Sequence, residues 1–83
     1  MNREMINVGN LPTGTSEDSL QAAFSRFGEV NQILIAPDVT SATSTARSSA
    51  LIEFKNIEDG EQAILDMNGC FFFGLRLDVK WDN

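Results

Sequence analysis

The sequence predicts an α+β fold in which four antiparallel strands form one sheet and two helices cover one of its faces. Apolar residues alternate with a period of two in four segments and recur with a helical period in two others. These segments follow one another in the order β-α-β-β-α-β, which with short connections gives the ferredoxin-like arrangement with an open second sheet face. The length of 83 residues suits one core, so we expect residues 1–83 to form a single domain.

The first strand and the first helix lie near the N-terminus. Residues 4–8 (EMINV) alternate as a strand does, and residues 10–15 (NLPTGT) are dense in loop formers. Thr15 or Ser16 caps the helix that follows, because hydroxyl oxygens accept hydrogen bonds from the free N–H groups of a first turn. The apolar stripe of this helix consists of Leu20, Phe24 and Phe27.

The middle of the chain predicts two strands joined by a polar loop. Apolar residues between Val30 and Ile35 mark the second strand, with a kink near Asn31. The segment 37–46 (PDVTSATSTA) is rich in Ser and Thr, so we expect a mobile hairpin loop without a site. Residues 47–54 (RSSALIEF) form the third strand. The side chains of that strand that face the core are Ala50, Ile52 and Phe54.

A second helix and a last strand complete the order. Asn56 caps this helix, and Asn68-Gly69 ends it. Its core stripe consists of Ile57, Ala63 or Gly60, Ile64 and Met67. The last strand, LRLDVKW, directs alternate side chains to opposite faces. Leu75, Leu77 and Val79 face the core, and Arg76, Asp78 and Lys80 face away from it.

The composition argues against disulfides, zinc and membranes. The chain has one cysteine, Cys70, and no histidine, so an internal disulfide cannot form and a zinc site lacks ligands. We expect Cys70 to be a small, buried apolar residue and expect no metal site. The N-terminus has no apolar stretch like that of a signal peptide, and no segment reaches membrane-spanning length. We therefore expect an intracellular protein that does not associate with a membrane.

The formal net charge of −6 is unusual for a protein that binds nucleic acid, because phosphates must be neutralised by cations. The charges are distributed unevenly over the predicted elements. The helices carry most of the acids, which are Glu17, Asp18, Glu58, Asp59, Glu61 and Asp66. The sheet face opposite the helices carries three cations, Arg47, Arg76 and Lys80, against Glu53 and Asp78. The negative charge is therefore mostly a property of the helices.

Two motifs make the chain similar to the RNA recognition motif (RRM) family. Residues 6–11 (INVGNL) resemble the six-residue signature on the first strand of that family. Residues 47–54 occupy the place of the eight-residue signature on the third strand, K/R-G-F/Y-G/A-F-V-x-F/Y. The segments SEDSLQAAFSRFGEV and IEDGEQAILDMNG match the helical landmarks in order and spacing. The resemblance covers almost the whole chain and implies the RRM fold in an RNA context.

The resemblance also marks three positions where the family carries aromatic rings that stack on RNA bases. In this chain those positions hold Asn7, Ser49 and Leu51, so all three rings are missing. Because a stacked base contributes roughly 1–3 kcal/mol, we expect single-stranded RNA to bind weakly and atypically. The predicted RNA-binding residues are Asn7, Arg47, Ser49, Leu51, Arg76 and Lys80. The alternative is that the cations pair with Glu53 and Asp78 across the strands and only keep the sheet soluble.

The run FFF at residues 71–73 is the other unusual feature. Family spacing makes Phe72 the buried ring, so strand parity directs Phe71 and Phe73 outward. Because adjacent exposed rings often mark an interface, we predict a protein interface at Phe71 and Phe73. The alternative is that one of the rings packs over the sheet edge or a helix end. Trp81 either packs on the core or stacks on a base, and its parity with Leu77 favours packing.

Two hypotheses for the function follow. The chain has no histidine, no metal-ligand cluster, no phosphate-binding glycine loop and no nucleophile beside a base, so we expect no enzymatic activity and no cofactor. The first hypothesis is a module that binds single-stranded RNA in an RNA-processing protein. The alternative is a protein–protein interaction or self-association module of a ribonucleoprotein assembly, with a protein partner or a homodimer. Neither hypothesis distinguishes the nucleus, the cytoplasm or an RNA-containing organelle.

Overall fold

The computed structural model describes residues 5–12, 14–37 and 47–82, without the side chains of residues 36, 37 and 47. Its strands are β1 (Met5–Pro12), β2 (Val30–Pro37), β3 (Arg47–Phe54), β4 (Phe71–Phe72), β5 (Leu75–Arg76) and β6 (Asp78–Trp81). Its helices are α1 (Glu17–Phe24), a 3₁₀ helix (Ser25–Phe27) and α2 (Ile57–Met67). The predicted hairpin loop falls on residues 38–46, which lie outside the described part.

Four of the strands form one antiparallel sheet in the order β2-β3-β1-β6. Both helices pack on the same face of this sheet and enclose the core. The buried apolar residues are Ile6, Val8, Leu11, Leu20, Phe24, Ile33, Ala50, Ile52, Phe54, Ala63, Met67, Leu77 and Val79. The predicted α+β, ferredoxin-like fold with one open sheet face is confirmed.

The local signals at α1 act as predicted. Ser16 is the N-cap, and its Oγ accepts a hydrogen bond from the backbone N–H of Ser19 at 3.2 Å. Glu17 and Asp18 occupy the first turn, where the helix dipole favours acids. After Phe24 the chain tightens into the 3₁₀ helix, and the half-buried ring of Phe27 packs against the core.

The packing of α2 against the sheet depends on Gly60. A Cβ atom at Gly60 would lie 3.0 Å from Cη2 of Trp81, so the absence of a side chain lets the indole approach the helix. The half-buried Trp81 therefore has the packing role that its parity predicts. The helical spacing predicts that Ile57 belongs to the core stripe, but its side chain is 52% exposed. It is the first residue of α2, one turn before the helix meets the sheet.

The structure differs from the sequence prediction in the first and last strands. The first strand extends to Pro12, because a bulge between Val8 and Leu11 absorbs an extra residue, with Asn10 at a φ of 64°. The last strand is divided at Leu77. The part before Leu77 is β5, which pairs with β4 in a separate two-stranded hairpin, and the part after it is β6.

Neither helix of the described residues is long and apolar enough to cross a membrane.

Candidate nucleic-acid interface

One line of side chains crosses all four strands on the sheet face that the helices leave uncovered, which we call the open face. Strand pairing places Leu34 beside Leu51, Leu51 beside Asn7, and Asn7 beside Lys80. We call these four residues the central row. Leu34 and Lys80 are exposed, and Leu51 and Asn7 are half-buried. The row changes from apolar to charged across the sheet, and it contains two of the three positions that lack an expected ring.

The third such position, Ser49, lies one step along β3 and is half-buried. It pairs with Ala36 of β2 and lies next to the bulge of β1. The structure thus brings Asn7, Ser49 and Leu51 onto the open face, as strand parity predicts. The three side chains offer an amide, a hydroxyl and an aliphatic contact, and none of them presents a flat ring.

A third carboxylate lies on the open face, and no sequence pattern predicts it there. The backbone N–H of Asp82 donates to the carbonyl of Met5 at 2.8 Å, so the sheet pairing continues one residue past β6. Oδ1 of Asp82 accepts a hydrogen bond from Nδ2 of Asn7 at 3.5 Å. The described cations of this face, Arg76 and Lys80, therefore stand against Glu53, Asp78 and Asp82. The face is mixed in charge, not basic.

The two described cations of the open face are exposed and available to a ligand. Within the described part of the chain, Arg76 and Lys80 form no ion pair with a carboxylate. The ion pair found there joins Lys55 Nζ to Glu29 Oε1 at 3.9 Å, and both of its side chains are exposed. Cross-strand pairing of Arg76 and Lys80 with carboxylates is therefore not found among these residues. The backbone of Arg47 pairs with Pro12, and the side chain of Arg47 lies outside the described part.

The FFF segment forms most of the small hairpin of β4 and β5. Phe72 is half-buried against the core, whereas Phe71 is 68% exposed and Phe73 is 75% exposed. This is the orientation that strand parity predicts for the three rings. Phe73 and Gly74 form the turn with φ values of 50° and 88°. No sequence signal indicates this turn, because an aromatic residue rarely adopts a positive φ.

The expectation that Cys70 is buried is wrong. Its side chain is exposed, and Sγ donates a hydrogen bond to the carbonyl of Asp66 at 2.8 Å. The reason is that the chain has already left α2 at this point and has begun the hairpin at the surface. Among the described residues, no three His, Cys, Asp or Glu side chains lie close enough together to hold a metal ion.

The helix side of the molecule has a different character from the open face. Glu17 and Asp18 line a shallow groove between α1 and β2. The first turn of α2 adds Glu58 and Asp59. Arg26 is the basic residue of the described helices, and its guanidinium lies 4.7 Å from the centre of the Phe27 ring. Because phosphates are repelled by carboxylates, the open face is the better candidate for contact with nucleic acid.

Comparisons with known proteins agree with this geometry. The model of the RNA recognition motif family matches residues 6–78. The G-B subunit of eukaryotic translation initiation factor 3 of Xenopus laevis is 37% identical over 76 residues, which are 92% of this chain and 24% of that protein. The corresponding Homo sapiens protein is also 37% identical over 76 residues, again 92% of this chain, and 23% of it is covered. The chain therefore spans about a quarter of the length of these curated relatives.

Solved structures show the same fold. RRM3 of Pes4 has 30% sequence identity and a TM-score of 0.81, with 95% of this chain and 90% of that chain covered. The RRM of Rna15, solved with bound RNA (GU), has 19% identity and a TM-score of 0.77. That match covers 94% of this chain and 81% of the other, and it bears on the fold alone.

Proposed function

The chain belongs to the RNA recognition motif family, and on this basis we propose that it is a non-catalytic module that binds single-stranded RNA weakly through its open face. The observation that carries the proposal is the central row, which crosses four strands and ends on a cation without a carboxylate partner among the described residues. The proposed contacts are Asn7, Arg47, Ser49, Leu51, Arg76 and Lys80.

Each contact has a separate chemical role in this proposal. Arg76 and Lys80 attract phosphates, because both guanidinium and ammonium groups are exposed on the open face. Asn7 and Ser49 offer hydrogen bonds to base edges or riboses. Leu51, with Leu34 beside it, gives an apolar surface on which a base or a sugar can rest. This set positions a strand but carries little sequence readout.

Two features of the open face predict low affinity. The stacking rings are missing, and each stacked base contributes roughly 1–3 kcal/mol where a ring is present. Glu53, Asp78 and Asp82 also repel phosphates from the same face. We therefore propose an affinity of micromolar dissociation constant or weaker for the isolated chain. Because what binding remains is largely electrostatic, it should fall steeply as salt rises.

The salt dependence gives a quantitative test. For a single strand, the slope of log K against log salt is roughly −0.7 for each neutralised phosphate, so two cations give about −1.4. The double variant Arg76→Gln and Lys80→Gln should bring this slope close to zero and remove most of the binding. Both side chains are exposed, so the fold should persist. Fluorescence anisotropy with labelled oligouridine at several salt concentrations measures the slope.

A matched control removes two charges elsewhere. Arg26 lies on the helix side, and Lys55 is already paired with Glu29. The double variant Arg26→Gln and Lys55→Gln has the same net charge as the test variant, and it should keep the wild-type slope. Equal slopes for the two double variants would show that only the total charge matters, and the site on the open face would be wrong.

A second candidate function is a protein interface at Phe71 and Phe73, which is supported by the 68% and 75% exposure of their side chains. The curated relatives are by name subunits of a translation initiation factor, which supports a place for this chain in a larger assembly. Sedimentation of wild type and Phe73→Ser tests self-association through this hairpin. A wild-type chain that sediments as a monomer would leave only a different protein as the partner.

A further inference from the structure

Phe71 is exposed, yet its position is fixed by its neighbours. It pairs with Arg76 across the β4–β5 hairpin, and directly paired residues project their side chains to the same face. The guanidinium carbon of Arg76 lies 5.3 Å from the centre of the Phe71 ring, within the range of a cation–π contact. The hairpin therefore presents an aromatic ring with a cation held against it.

The hairpin itself is anchored to the sheet. The backbone N–H of Leu77 donates to the carbonyl of Cys70 at 2.8 Å, and that of Gly69 donates to the carbonyl of Leu77 at 2.9 Å. Nδ2 of Asn10, in the bulge of β1, donates to the carbonyl of Arg76 at 2.8 Å. These bonds hold the hairpin next to the edge of the open face at the end of β1.

The ring and the open face point the same way. Exposed Arg76, Asp78 and Lys80 alternate along the chain with Leu77 and Val79, which are each 2% exposed. The alternation continues from β5 into β6, so the side that carries Arg76 also carries Lys80. Phe71 lies on that same side, because it faces the same way as Arg76.

We propose that Phe71, supported by Arg76, is a stacking site for one base of single-stranded RNA at the edge of the open face. This inference rests on the proposed function and adds a ring that the sheet itself lacks. A ring face accepts any base, and an adjacent cation attracts the phosphate of the same nucleotide. A strand that crosses the central row and reaches Lys80 can continue along β6 and β5 to this ring.

The cation favours RNA over a protein as the occupant of this ring. An apolar protein surface that covered Phe71 would also have to bury the Arg76 guanidinium, and a buried charge without a partner is strongly unfavourable. Asp78, the nearest carboxylate along the chain on this side, forms no ion pair with Arg76 in the described part. A nucleotide supplies both the flat ring and the anion.

The test compares two labelled probes, a short oligouridine and an abasic ribose-phosphate oligomer of the same length. Phe71→Leu keeps an apolar side chain but removes the ring. It should weaken binding of oligouridine roughly fivefold to 150-fold, the range for loss of one stacked base, and leave binding of the abasic oligomer unchanged. Phe71→Tyr should restore wild-type affinity for oligouridine, because tyrosine also offers a ring face.

Leu65→Ala is the matched control, since Leu65 is 74% exposed on α2 and lies on the helix side. It should bind both oligomers as wild type does. The emission of Trp81, the only tryptophan, reports whether each variant is folded. Because Phe71 is 68% exposed, we expect every variant to fold.

The outcomes separate this inference from the proposed function. If Phe71→Leu binds oligouridine as wild type does while the double variant of Arg76 and Lys80 loses binding, the stacking site is wrong and the open face stands. If Phe71→Leu instead reduces self-association and leaves RNA affinity unchanged, the ring belongs to a protein interface and the inference is overturned. If wild type binds neither oligomer, the proposed function fails, and the inference fails with it.

Discussion

Replacing Phe73 with asparagine should show that the hairpin turn is strained by its own sequence. Phe72 pairs with Leu75, so only Phe73 and Gly74 remain for the turn, and both have a positive φ. Two successive positive φ values define a type I′ turn, for which Asn-Gly is a preferred sequence. A phenylalanine at φ 50° is therefore in a conformation that its Cβ disfavours.

The magnitude follows from two opposing terms. The left-handed conformation costs roughly 1–2 kcal/mol for an L-residue, and Asn tolerates it better than most. The Phe73 ring packs edge-on against Phe72 with centres 4.7 Å apart, and such pairs contribute about 0.5–1.5 kcal/mol. With Phe73 75% exposed, we use the lower end of that range.

Phe73→Leu separates the two terms, because leucine loses the ring contact and keeps the strain. We expect Phe73→Asn to be more stable than Phe73→Leu by about 1 kcal/mol, which corresponds to roughly 4–8 °C in Tm for a domain of this size. Thermal unfolding followed by circular dichroism measures both variants. Equal Tm values would refute the assignment of strain to this residue.

Three further predictions concern the open face and the core. Leu51→Phe should raise the affinity for oligouridine roughly 5- to 150-fold, since it restores one stacking ring on the open face; anisotropy titration measures the change. Phe24→Ala should lower the free energy of unfolding by about 3–5 kcal/mol in urea denaturation, because the ring is fully buried. Gly60→Leu should shift the emission of Trp81 to the red, because a side chain at Gly60 displaces the indole.

Much of the fold is predictable from the sequence because local and long-range signals agree. Ser16 caps α1, and Leu20 and Phe24 lie in the core as the helical spacing indicates. Ala50, Ile52 and Phe54 are buried because strand parity has a period of two, which leaves one choice of face once the core side is known. The same parity places Asn7 and Leu51 on the open face.

The errors occur where the periodic pattern ends. Ile57 has the spacing of a core residue, but the helix meets the sheet only from its second turn onward, and the side chain is 52% exposed. Cys70 and the hairpin follow from backbone geometry after α2, and an aromatic residue in a type I′ turn gives no recognisable signal. The place of Asp82 on the open face could not be predicted either, because it depends on one backbone hydrogen bond beyond β6.

The most direct test of the central claim is an NMR titration of the ¹⁵N-labelled chain with oligouridine at low salt. We expect the largest amide shift changes along the central row and around it, at Asn7, Leu51 and Lys80, with a dissociation constant in the micromolar range or weaker. The changes should shrink as salt is added. Shift changes confined to α1 and α2, or nanomolar binding that persists in high salt, would contradict RNA binding by the open face without its stacking rings.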